Sequence, residues 1–211
     1  MVARPVGNRA SPAYQNFPTD EGDRAWFRGY LDSRDLFRIA AWKSAKGMAT
    51  LTLNTTDKIE HVTGLVVELL RPYQHADARV LHQSGQEWTV FLDVTETAVS
   101  RHTGLQQLDG VGLAMASAIL CALNERAWPV IDKWATISLF ESKLGPSDWH
   151  WTSTYRQYIE ATMTLSLSVY KDHSIHEIDL KLMDIGMGKE VPPFARTTLA
   201  RRTRRTGSQR V

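Results

Sequence analysis

The most constraining stretch of the 211-residue chain is a tight glycine turn followed by an uninterrupted apolar run. The turn spans residues 108–112 (Leu-Asp-Gly-Val-Gly), and the run, Leu113–Leu123, contains no glycine, proline or charge. Glycines allow positive φ angles and close approach of another backbone or a phosphate. The run predicts a buried helix whose first amides have no partners inside the helix. We therefore expect a small anion site at this turn, suited to a nucleic-acid phosphate.

A short loop and a single aspartate follow the apolar run. Residues 129–131 (Pro-Val-Ile) lead directly into Asp132, which lies twenty residues after Gly112. This combination of glycine turn, Ala-rich helix and spaced aspartate resembles the helix-hairpin-helix (HhH-GPD) DNA glycosylases, the superfamily that includes endonuclease III, the adenine-mismatch glycosylase and the alkyl-adenine glycosylases. The clear match covers about thirty residues. The turn by itself is less specific, because many DNA-binding modules contain it.

The resemblance implies both the DNA contacts and the chemistry. The predicted DNA contacts in the hairpin are Gly110, Val111, Gly112 and Ala114. Strand-cleaving members carry a Schiff-base lysine at the position of Ala114, so the resemblance implies a monofunctional glycosylase without AP-lyase activity. Such an enzyme flips a base out of the duplex and hydrolyses its N-glycosidic bond, leaving an abasic site. Asp132 would stabilise the positive charge that develops on the sugar.

The base that is removed stays open at this point. Alkylated or oxidised purines are usual targets of the superfamily. A hypermodified phage base such as glucosylated hydroxymethylcytosine is an equal possibility, which would make the protein an anti-phage defence enzyme. Nothing in the residues selects between repair and defence.

Other interpretations of the same residues also stay open. Asp132 suits the N-cap of the helix that follows it, a role compatible with catalysis. The chain could be a non-catalytic helix-hairpin-helix DNA-binding protein. It could also be a strand-cleaving lyase that uses a displaced amine, with Lys43 or Lys133 as candidates. Trp42, Lys43 and Trp134 are candidates for lining a base pocket, although a tryptophan at a helix end often packs in the core.

Cysteine usage and hydropathy restrict the cofactor and the compartment. Cys121 is the single cysteine, which excludes an intrachain disulfide framework and the four-cysteine iron–sulfur cluster of endonuclease III relatives. No apolar run reaches the roughly 18 residues of a membrane span, and the N-terminus lacks the apolar region of a secretion signal. His173 and His176 have no acid or cysteine cluster to complete a zinc site. We expect a monomeric, cytoplasmic and nucleoid-associated protein without metal or cofactor, whose partner is double-stranded DNA.

Positive charge is concentrated at the C-terminus. Residues 195–211 hold six arginines and no acid, whereas the whole chain has a net charge of only +2. Phosphate contacts from such a tail would make DNA binding steeply salt-dependent. A solubilising tail is the alternative interpretation. The candidate DNA contacts are Arg201, Arg202, Arg204 and Arg205.

Hydrophobic periodicity predicts an all-α fold. Apolar residues recur at helical spacing through most of the chain, without alternation of strand and helix. Residues 48–53 are β-prone and are expected to form a loop, and residues 1–18 a flexible arm. The resemblance implies two helical lobes with Asp132 at the mouth of the cleft between them. One lobe comprises residues 19–53 and 134–190; the other comprises residues 54–133, with the helix-hairpin-helix at about 96–123.

Overall fold

The computed structural model describes residues 18–43, 48–141 and 154–188. Within these ranges the chain forms α-helices and no strand, which confirms the all-α class. The helices are α1 Thr19–Arg28, α2 Ser33–Lys43, α3 Met48–Leu51, α4 Thr56–Leu70, α5 Ala78–Gln83, α6 Gln86–Val99, α7 Leu113–Leu123, α8 Lys133–Glu141, α9 Tyr155–Ser168 and α10 Ile175–Gly186. The expected arm (apart from Pro18) and the arginine tail with Arg201, Arg202, Arg204 and Arg205 lie outside the described residues.

Several helices begin at polar caps of the kind the sequence suggests. The Thr55 side chain accepts a hydrogen bond from a backbone amide in the first turn of α4. Helix α10 begins with a capping box built on Ser174 and ends at Gly186. Helix α9 begins with another capping box, built on Thr154. These caps satisfy amides that the helices leave open.

The prediction of a loop at residues 48–53 is wrong for its first part. Residues 48–51 form a single helical turn, α3, whose Leu51 side chain is fully buried. Asn54 Nδ2 donates a hydrogen bond to the Leu51 carbonyl at 3.0 Å. Burial and this bond outweigh the β propensity of the segment, which depends strongly on context.

The chain reverses its direction just before the glycine turn. Helix α6 ends at Val99, and only a 3-10 turn, Leu105–Gln107, precedes residues 108–112. Between them the chain folds back onto the end of α6 at Gly104. A Cβ there would lie 2.3 Å from the Ala98 carbonyl oxygen, so the close approach requires glycine. The reversal leaves too few residues for an α-helix before the turn.

Helix α7 lies at the centre of the packing. Its residues from Met115 to Leu123 are all buried, and it contacts α1, α2 and α6. The Trp26 indole of α1 donates a hydrogen bond to the Leu123 carbonyl at 2.8 Å. Nearly all buried apolar side chains of the described residues form one continuous cluster, and the division into two lobes stays a prediction. None of the described helices combines the length and apolar character needed to cross a membrane.

Candidate functional site

The glycine turn exposes the start of α7. Gly110 has a φ of 80°, and the Val111 amide closes the turn on the Leu108 carbonyl at 3.1 Å. Gly112 precedes α7, and no side chain caps this helix. A Cβ at Gly112 would meet nothing within 4 Å. The start of α7 therefore combines an exposed, uncapped helix terminus with room for an anion.

The four hairpin residues predicted to contact DNA differ in their solvent exposure. Gly112 and Ala114 are exposed and Gly110 is half-buried, whereas Val111 is buried. Val111 packs in the core and shapes the turn through its amide. The two exposed positions lie at the uncapped helix start, where a phosphate would approach.

Asn54 holds the turn from the other side, a role that sequence reasoning missed. Its side-chain amide donates to the Asp109 carbonyl at 2.9 Å, and its oxygen accepts from the Asp109 amide at 2.9 Å. Lys58 Nζ lies 2.9 Å from the Asp109 carboxylate, and this contact lowers the pKa of that carboxyl. A side-chain bond across 55 residues leaves no local pattern in the sequence.

Three side chains hold the loop of residues 129–131 immediately before Asp132. Tyr155 donates its hydroxyl proton to the first carbonyl of this loop at 2.6 Å. Asp179 accepts a hydrogen bond from the second amide, and Ser117 accepts one from the third amide at 3.1 Å. Helices α7, α9 and α10 therefore determine together where Asp132 lies.

The two carboxylate oxygens of Asp132 have different partners. Oδ1 accepts a hydrogen bond from the Ala135 amide at 2.8 Å, which caps α8. Oδ2 lies 3.4 Å from Lys43 Nζ of α2. The side chains of Asp132 and Lys43 are 16% and 8% exposed. The N-cap interpretation is therefore correct, and the second oxygen still faces a buried amine.

Asp132 and Lys43 border a narrow cleft between α2, the 129–132 loop and α10. As bounded by the described residues, its volume is about 10 Å³, which admits one water molecule at most. A nucleobase cannot enter without displacement of the lining side chains. The cleft is lined by Trp42, Lys43, Val130, Asp132, His176, Asp179, Leu180 and Met183.

Asp179 is the cleft residue that sequence reasoning missed. One of its oxygens accepts from the Tyr158 hydroxyl and the other from the Val130 amide. Burial, with a further contribution from the charge of Asp132, raises the pKa of Asp179 to about 8. The available signal was an acid between Ile178 and Leu182 on the apolar face of α10, a position where burial of a carboxyl is costly.

The remaining candidates lie at different depths. Trp42 is 9% exposed and borders the cleft, combining core packing with a place at the site. Trp134 is 41% exposed and lies outside the cleft lining. The Lys133 Nζ atom lies over the Trp134 ring, 5.3 Å from its centre. Cys121 is buried with its Sγ 3.9 Å from His176 Nδ1, and burial raises the pKa of the thiol.

The chain matches no protein-family model, no curated protein and no solved structure. The likeness to the glycosylase superfamily therefore depends on the residues themselves: the turn at 108–112, the helix Leu113–Leu123 and Asp132.

Proposed function

We propose that the protein is a monofunctional DNA glycosylase of the helix-hairpin-helix type, with Asp132 as its essential carboxylate. The observation that carries the proposal is the state of this side chain. It follows the glycine turn at the family distance, lies beside a cleft, and keeps one oxygen directed at a buried amine. A solvent-exposed cap would need none of this arrangement.

The glycine turn supplies the phosphate contact in this proposal. The exposed amides at the start of α7 attract an anion through their unpaired donors and the helix dipole. Lys58 pairs with the Asp109 carboxylate of the turn and so offsets the negative charge that would otherwise lie beside the phosphate. Such contacts hold the DNA backbone without reading sequence.

Asp132 supplies the chemistry. As the bond between C1′ and the base breaks, its electron pair leaves with the base, and C1′ becomes positively charged. The Asp132 carboxylate stabilises this charge, water adds its oxygen to C1′, and the carboxylate accepts the water proton. Because the cleft holds about 10 Å³, base entry requires the side chains of α2 and α10 to separate.

The substrate in this proposal is a modified base in double-stranded DNA, either a damaged base or a hypermodified phage base such as glucosylated hydroxymethylcytosine. Both classes differ from normal bases in bulk or pairing, which lowers the cost of extrusion. A panel of DNAs separates them experimentally.

A second candidate function is favoured by the position of Lys43. Its amine lies 3.4 Å from Asp132 Oδ2, whereas the rival Lys133 is exposed against the Trp134 ring. In a lyase, the Lys43 amine would attack C1′ of the opened sugar and expel water to form a Schiff base. Elimination would then break the bond from C3′ to the phosphate oxygen.

The decisive experiment compares wild type with Asp132→Asn. Asparagine is as good an N-cap as aspartate, so the variant keeps the start of α8 and loses only the charge. Both proteins are incubated with ordinary, alkylated, oxidised and phage-modified DNA, and abasic sites are detected as strand breaks after alkali. We expect breaks with wild type only after alkali, and a rate about 10²- to 10⁴-fold lower for the variant with DNA binding retained.

The other outcomes separate the alternatives. Breaks without alkali, together with a borohydride-trapped protein–DNA adduct that Lys43→Arg abolishes and Lys133→Arg retains, would establish the lyase. Binding without breaks on every DNA would establish a non-catalytic DNA-binding protein. Asp172→Asn removes an exposed acid and serves as the matched control, with wild-type rates expected.

A further inference from the structure

Asp179 is a buried carboxyl group bonded to uncharged donors. Its residue is 5% exposed, and it accepts hydrogen bonds from the Tyr158 hydroxyl and the Val130 amide. Among the described residues, the amine that lines the same cleft, Lys43, forms its ion pair with Asp132 instead. An ionised carboxyl without a cationic partner is costly in such surroundings.

Hydrogen bonding alone does not explain a carboxyl at this position. The next amide in the loop, that of Ile131, is satisfied by the Ser117 hydroxyl. A neutral side chain at position 179 would serve the Val130 amide in the same way. The feature that distinguishes position 179 is its place in the cleft, which it shares with Asp132 and Lys43.

We propose that Asp179 is a positioning residue for Asp132: it holds the backbone two residues before that carboxylate and competes with it for the charge of Lys43. This inference rests on the function proposed above. When Asp179 is neutral, the positive charge of Lys43 offsets the negative charge of Asp132 alone. When Asp179 ionises, the Lys43 charge is shared between two carboxylates. The ionised Asp179 also adds a negative charge beside the place where the sugar cation would form. Stabilisation of the cation therefore increases.

The pH at which this change occurs follows from the surroundings of the group. Burial and the charge of Asp132 raise the pKa of Asp179 to about 8, against the opposing effects of its two hydrogen bonds and of Lys43. Burial also raises the pKa values of the neighbouring thiol and phenols and lowers that of the neighbouring imidazole, so these groups stay neutral near pH 8. They are Cys121, Tyr155, Tyr158 and His176.

A binding experiment tests the inference without knowledge of the excised base. Two duplex oligonucleotides are compared, one with a cationic pyrrolidine in place of an abasic sugar and one with a neutral tetrahydrofuran. The pyrrolidine mimics the charge of the transition state, which a glycosylase binds more tightly than its ground state. Dissociation constants are measured by fluorescence anisotropy from about pH 6.5 to about pH 9 for wild type, Asp132→Asn, Asp179→Asn and the control Asp172→Asn.

We expect the wild-type preference for pyrrolidine to rise about tenfold through pH 8, and the preference of Asp179→Asn to stay level. The protonation of the pyrrolidine analogue itself also depends on pH. Because this dependence is the same for every protein, it cancels when the variants are compared with wild type. An asparagine oxygen can accept from the Val130 amide while its amide donates to Tyr158, so the variant keeps both bonds. The control Asp172→Asn is expected to follow wild type.

The outcomes distinguish the two proposals. If wild type shows no preference for pyrrolidine at any pH, the glycosylase function itself is overturned. If Asp132→Asn loses the preference but Asp179→Asn keeps the rise, the function stands and the role of Asp179 is overturned. Should Asp179→Asn fail to fold, carbon-13 titration of the aspartate carboxyls in wild type replaces it. A step near pH 8 that also shifts the Asp132 signal supports the inference, and its absence contradicts it.

Discussion

Two buried carboxyl groups in this protein, those of Asp35 and Asp179, have opposite kinds of bonding partners. Asp35 on α2 is 1% exposed and meets two guanidinium groups, with Arg24 at 3.1 Å and Arg28 on its other oxygen. Asp179 on α10 is 5% exposed, and its hydrogen-bond donors in the described part of the chain are a phenol and a backbone amide. Cationic side chains compensate the charge of Asp35, whereas the described donors to Asp179 are uncharged.

The difference separates a structural carboxyl from a functional one. At Asp35 the neighbouring helix α1 supplies both arginines, so the ion pairs tie α1 to α2. Near Asp179, the lysine that lines the cleft among the described residues, Lys43, forms its ion pair with Asp132. Strongly perturbed titratable groups in a cleft are candidates for function, because a purely structural position has no reason to retain the cost.

The largest expected effect is on the pH dependence of stability at Asp179. The folded protein keeps the proton of this group up to about pH 8, whereas the unfolded chain releases it near pH 4. The folded state therefore binds more protons between these values, and the free energy of unfolding falls as pH rises. Relative to Asp179→Asn, wild type should lose roughly 4 kcal/mol of its free energy of unfolding from pH 5 to pH 8. Urea denaturation of both proteins across this pH range measures the loss. If the free energies of unfolding of the two proteins change with pH in parallel, the contrast with Asp35 is removed.

The same substitution at Asp35 is expected to have the opposite sign. Asp35→Asn leaves two guanidinium groups facing an uncharged amide, which lowers the free energy of unfolding. Losing one partner of a buried pair typically costs 3–5 kcal/mol; we expect about 2 kcal/mol, because the Arg24 and Arg28 side chains are 42% and 26% exposed. The same urea series measures the loss. An Asp35→Asn variant as stable as wild type would show that burial, not pairing, governs both carboxyls.

Substitution of Asn54, an uncharged side chain, serves as a reference for the two carboxyl substitutions and is expected to change stability less. Asn54→Ala removes the bonds that join the α3–α4 loop to the glycine turn and leaves the Asp109 amide without its acceptor. A loss of about 1–2 kcal/mol is expected, and it should not vary from pH 5 to pH 8. Thermal melts at both pH values check this, with Thr52→Ala as an exposed control. A pH-dependent loss would mean that titration is not specific to the cleft.

Prediction from the sequence succeeded where the signal was local. Helix α7 follows from an apolar run bounded by a glycine, and the caps at Thr55 and Ser174 follow from residue types with short-range partners. The fold-back at Gly104 was not predicted, because it depends on the end of α6. Asn54 and Asp179 were missed because their partners are distant in the chain: the Asp109 backbone for Asn54, and Tyr158 and the Val130 amide for Asp179.

The sequence by itself determined the all-α class, the glycine turn with its following helix, and the place of Asp132 at the start of α8. Each of these depends on residues within a few positions of one another, where backbone geometry and periodicity operate. Only the tertiary structure decided that Lys43, 89 residues before Asp132, lies on its free oxygen. It also decided that Asp179 is buried beside them without an ion-pair partner among the described residues. Burial and charge compensation depend on which helices pack together, and no local pattern specifies that.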